Sequence, residues 1–133
     1  MKQKQKDIIQ KLETVAKKSI VRCKHAAAIV KKGKIISMGY NRVKKNNGFN
    51  SIHAERDALI NCPKSKIKGS SLYVIRLNYT NYYESHNLNR FNKNKVIISK
   101  NHNCLYSKPC KSCENLIHKY IKHYHLKKVY YTI

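Results

Sequence analysis

The chain is 133 residues long, enough to bury one core and too short for two. Lys and Arg number 29 against 6 Asp and Glu, a formal net charge of +23, so the surface attracts polyanions. No run of 18 apolar residues exists to span a membrane, no apolar segment follows the charged residues 1–6 to make a signal peptide, and 5 cysteines with 4 glycines and 2 prolines do not make a disulfide scaffold. An intracellular, reduced protein is expected, cytoplasmic with a nuclear or virion setting left open, and with cysteine free to bind metal.

Ile8, Ile9, Leu12, Val15, Ala16 and Ile20 recur at helical spacing and predict an amphipathic helix over residues 4–20, in a basic N-terminal segment spanning 1–22. Residues 26–30 and 35–40 flank Lys31-Lys32-Gly33-Lys34 and read as an antiparallel hairpin. Residues 41–50 are polar and read as a loop. A helix follows over 52–62, with Ile52, Ala58, Leu59 and Cys62 inward and Ser51 as its N-cap. Pro63 and Gly69 bracket a basic loop, and Ser71–Leu77 is the clearest strand. Residues 78–100 are polar and read as an insertion, with Val96-Ile97-Ile98 as a short strand. A second long helix spans 110–124, its stripe made by Leu116, Ile117, Tyr120 and Ile121, and residues 127–133 form a last strand. The whole of 1–133 is one domain. Its element order predicts a mixed sheet with helices on its faces: the hairpin antiparallel, the last strand–helix–strand link parallel.

Two short motifs carry the chemistry. His53-Ala54-Glu55 opens one helix and Pro109-Cys110-Lys111-Ser112-Cys113 opens the other. In a layered α/β domain such helix starts converge on one side of the sheet. His53, Cys110 and Cys113 then supply three N and S ligands, the set a catalytic zinc takes while leaving a fourth position to water. Helix N-termini lower thiol pKa values, so both cysteines are expected as thiolates. Glu55, one of six acids in a lysine-rich chain, sits two residues from His53 and suits a proton shuttle.

These motifs match every fixed position of the H-x-E…P-C-x-x-C pattern of zinc nucleobase deaminases. The chain resembles the cytidine and deoxycytidylate deaminase superfamily, and is also similar to tRNA adenosine deaminases. The likeness extends to the hairpin ending in Gly39-Tyr40-Asn41-Arg42, to the strand after the first motif, and to the strand after the second. It implies a three-layer α/β/α sandwich with a mixed sheet of four to five strands. It implies Zn2+ on His53, Cys110 and Cys113, and Glu55 moving a proton from the attacking water to the ring nitrogen and then to the departing amine. It further implies substrate contacts from Asn41 to the sugar, from Ala28 in the base pocket, and from the backbone around Ala54 to the base edge. The substrate is a nucleotide or nucleobase, cytosine of the deoxycytidylate type being favoured over a base in tRNA or another nucleic acid.

Two departures from the family stand out. The 53 residues between Glu55 and Pro109 are more than small members have, the excess falling near residues 78–100, where it could lid the pocket. The family also continues past the strand at 127–133, so an open sheet edge is expected here, and with it a homo-oligomer. Competing readings are a structural zinc site completed by Cys104 or His102, and a basic nucleic-acid-binding or packaging protein that keeps the fold. Cys23 and Cys62 are expected as core residues. His118, His123 and His125 are expected in solvent, and Tyr130 and Tyr131 on alternate packing faces.

Overall fold

The computed structural model describes residues 3–21, 23–43, 51–77, 104–105 and 109–132. Its elements in chain order are α1 (Gln3–Ala16), β1 (His25–Lys31), β2 (Lys34–Tyr40), β3 (Arg42–Val43), β4 (Ser51–Ile52), α2 (Ala54–Asn61), α3 (Lys64–Ile67), β5 (Ser71–Leu77), β6 (Cys104–Leu105), α4 (Lys111–Tyr124) and β7 (Lys128–Tyr131). The insertion expected over 78–100, its strand at Val96-Ile97-Ile98 and most of the loop at 41–50 lie outside the described residues.

The main sheet has five strands, and β5 is its hub. On one side β1 runs antiparallel to it, and β2 closes the hairpin on β1. The other side of β5 is shared. Ser71–Val74 pair in parallel with β7, while Arg76 and Leu77 pair antiparallel with β6. The sheet is therefore mixed, as expected. A separate two-stranded ladder of β3 and β4 draws the chain back toward α2.

Strand alternation sorts the core into two layers. Ala27 and Ile29 of β1 and Leu72 and Val74 of β5 face α2, α3 and α4, packing on Ala54, Ala58, Leu59, Ile67, Ile117 and Tyr120. Ala26, Ala28 and Val30, with Ile75 and Leu77, face the opposite way onto Ile8, Ile9, Leu12 and Ala16 of α1. This is the three-layer sandwich. Leu12, Ile29, Leu59 and Leu72 are wholly buried, each worth about 1.5–3 kcal/mol of transfer free energy.

Several boundaries differ from the sequence reading. The first helix stops at Ala16 rather than running to residue 20, and Ile20 is 84% exposed. The cause lies in tertiary structure: Ser19 is buried and its Oγ donates to the Asn41 carbonyl at 2.7 Å, pulling the chain off the helical path. Ser51 belongs to β4, and His53 is the N-cap residue of α2, with no side-chain cap bond. The basic loop after Pro63 contains the short helix α3, whose Ile67 is fully buried. Tyr130 and Tyr131 are both exposed, although Tyr130 stacks on Tyr73 with ring centroids 4.7 Å apart.

Candidate active site

The two motifs meet where the two helices begin. His53 caps α2 in an extended conformation (φ −74, ψ 151), and Cys110 caps α4 likewise (φ −67, ψ 167). Extended capping residues point their side chains away from the helix body, so both can reach a common point. The His53 Nδ1 lies 3.4 Å from the Cys110 Sγ and 3.2 Å from the Cys113 Sγ. The three ligand atoms all lie within 4.8 Å of one another, in the one such metal-type group among the described residues. A tetrahedral zinc with ordinary Zn–N and Zn–S bonds separates its N and S ligands by about 3.6 Å. The N/S donor set and its spacing therefore fit zinc. A pocket opens beside the group, lined by His53, Arg56, Ser112, Cys113 and Leu116.

Glu55 is in the first turn of α2 and only 4% exposed. It acts on the Cys113 thiol by charge and by a side-chain hydrogen bond, which puts its carboxylate beside the metal group. The expectation of lowered thiol pKa values fails at Cys113. Burial pushes this thiol far up, and the neighbouring Glu55 and Cys110 add to the rise, outweighing the helix start. A metal entering here takes the proton's place on sulfur.

The other expected contacts divide. Ala54 begins α2 with its side chain wholly in the core, leaving its backbone at the helix start beside His53 and Glu55. Ala28 is not brought to the site. It is fully buried against α1, on the far face of the sheet, because its neighbours Ala27 and Ile29 occupy the face toward α2. Asn41 is 7% exposed and its amide holds the chain together: Oδ1 accepts the His25 N–H at 2.9 Å, and Nδ2 donates to the Cys23 carbonyl at 2.5 Å.

Behind Asn41 stands a residue that sequence reading passed over. Asp57 is 6% exposed, and it accepts from the Tyr40 N–H at 3.3 Å, from the Arg42 guanidinium at 3.0 Å and from the Asn61 amide at 3.1 Å. That hydrogen bond, with the Asp57 charge, also raises the Arg42 pKa. Cys23 was expected in the core; it is half-buried at a polar junction, where its Sγ accepts from the Arg76 Nη2 at 3.3 Å. His25, beside it, gives its Nδ1 to the Cys23 carbonyl at 3.1 Å. Burial lowers the His25 pKa, against the opposing pull of the Glu55 carboxylate. Its signal in the sequence was parity alone: it precedes Ala27 by two on a strand whose odd positions face α2. Cys62 is buried in the core, as expected, whereas His118, His123 and His125 are exposed, His118 lying 3.6 Å from Glu114. The alternative fourth ligand His102 and the Cys104 side chain lie outside what the structure describes.

Comparison with known proteins agrees with this geometry. A profile of the cytidine and deoxycytidylate deaminase zinc-binding region matches residues 2–133. The fold is similar to that of the dCMP deaminase of the cyanophage S-TIM5 in complex with dCMP and dUMP, with TM-score 0.58 and 24% identity over 98% of this chain and 82% of that one. The apo form of the same phage protein gives 0.51 and 23%, over 98% and 84%. No curated protein matches the sequence. Among the described residues no helix is long and apolar enough to cross a membrane. The chain belongs to the cytidine and deoxycytidylate deaminase family, whose zinc-binding region it carries from end to end.

Proposed function

We propose that the protein is a zinc-dependent hydrolytic deaminase of a cytosine nucleotide, of the deoxycytidylate type. The observation that carries this reading is a buried carboxylate, Glu55, set against a three-ligand N/S group. A structural zinc site has no use for that carboxylate. Preference for a deoxycytidylate draws on the similar phage protein, whose structure holds dCMP and dUMP.

His53, Cys110 and Cys113 hold the metal. Zinc there supplies Lewis acidity and brings the pKa of water at its open position toward neutrality. Glu55 takes a proton from the attacking water, places it on ring N3, and carries a proton to the exocyclic amine. The C4–O bond forms, the C4–N bond breaks and ammonia leaves, turning cytosine into uracil. Asn41 acts on the sugar side, through the amide hydrogen and lone pair left over from its two backbone bonds. The backbone at Ala54 faces the base edge.

The test is ammonia release across deoxycytidine, dCMP, an adenine nucleotide, single-stranded DNA and tRNA. The account predicts turnover of the cytosine nucleotide. Glu55→Gln should keep zinc and fold yet lose at least about 10²-fold in rate, the low end for general acid–base catalysis. Turnover of none of these by zinc-loaded protein, or undiminished turnover by Glu55→Gln, contradicts the proposal.

A further inference from the structure

We infer that His25 and Arg76 form a subsite for the phosphate of the nucleotide substrate, an inference that rests on the deaminase reading above. The two residues are cross-strand partners of β1 and β5. Directly paired side chains stand about 5 Å apart at Cβ, on one face of a sheet. That face is fixed by alternation. Ala27 and Ile29 on one strand and Leu72 and Val74 on the other pack toward α2, so His25 and Arg76, each two residues further along, share it. It is also the face that carries the metal group and Glu55. The charges of both Glu55 and His53 reach His25, which places the pair at the site rather than elsewhere on the sheet.

The pair is held and left open to a ligand. Cys23 anchors both members, its carbonyl bonding the His25 Nδ1 and its Sγ the Arg76 Nη2. With Nδ1–H donated to a carbonyl, Nε2 is the remaining nitrogen of the ring. Arg76 is half-buried and its Nε has no hydrogen-bond partner. Nor does a carboxylate lie within ion-pair distance of it among the described residues, where the pairs are Arg42–Asp57 and His118–Glu114. A guanidinium withdrawn from water without a counter-charge is destabilising, and an anionic ligand relieves it. The planar fork of Arg matches phosphate better than it matches a single carbonyl. A nucleotide whose base sits at Glu55 brings one such anion into the same pocket.

Deoxyuridine and dUMP differ only in the phosphate, so their affinities isolate the subsite without any turnover. Calorimetric titration of zinc-loaded protein with each should show dUMP binding at least tenfold more tightly. In Arg76→Gln that ratio should fall to within about threefold, a loss of some 0.7 kcal/mol or more. His25→Gln should lower it in the same direction, and serves if Arg76→Gln does not fold. A merely structural role for Arg76 weakens both ligands together and keeps the ratio, which overturns the inference, as does a wild-type protein that fails to distinguish or bind the two. The two readings fail separately. Phosphate discrimination without ammonia release removes the deaminase reading and keeps the subsite. Deamination with no phosphate discrimination does the reverse. A single-stranded oligonucleotide serves as a third arm: discrimination lost there in Arg76→Gln, but never seen with dUMP, overturns the nucleotide assignment.

Discussion

Asp57 uses both carboxylate oxygens to hold the chain on either side of Asn41, through the Tyr40 N–H and the Arg42 side chain. It thus ties the end of β2 to the helix that bears Glu55. Replacing it by Ala leaves a buried N–H without its acceptor, so Asp57→Ala should lose about 1–3 kcal/mol of stability in urea unfolding. An unchanged midpoint would show that solvent serves as well. At this scale the metal ligands and Glu55 were legible, because their chemistry is written in residue type and spacing. Asp57, His25 and Arg76 were not. Each is an ordinary polar residue until the register of β1 against β5, or the docking of β2 on α2, shows what it faces. Ala28 was misassigned for the same reason: Ala26, Ala27 and Ala28 are equivalent in sequence, and only the pleat tells which turns toward the site.

The elements themselves owe their placement to close approach. A Cβ at Gly39 of β2 would come within 2.6 Å of the Ala58 N, 2.7 Å of the Asp57 Cβ and 2.9 Å of the Ala54 O. Two of these three atoms are helix backbone, so they cannot rotate aside. Gly39→Ala should push α2 off the sheet and lose about 1–3 kcal/mol, the range for overpacking. Because His53 and Glu55 ride on the start of α2, the variant should also hold zinc more weakly, measurable by competition with a chelator. Wild-type stability and zinc affinity in this variant would mean that α2 is not positioned by β2. The strand of Ser71–Leu77 and the helix ahead of β7 were readable from periodicity, since burial on one face forces it. The end of α1 was not. Ile20 continues the helical spacing, yet the buried bond from Ser19 to Asn41 overrides it.

Across the whole molecule the charge of +23 is the dominant electrostatic fact. It predicts sequence-independent binding to single-stranded DNA or RNA, with each neutralised phosphate adding roughly −0.7 to −0.9 to the slope of log affinity against log salt. Binding that does not weaken between low and moderate salt would contradict this. Such binding is separate from the site chemistry, which depends on one buried acid and three ligands at two helix starts. The most direct test of that chemistry is a zinc titration of chelator-stripped protein, following ammonia release from dCMP. The account predicts no turnover without metal, activity rising to a plateau at one equivalent, and no recovery in a Cys110→Ser, Cys113→Ser double variant. Full turnover by the stripped protein, or restoration of the double variant by zinc, would contradict it.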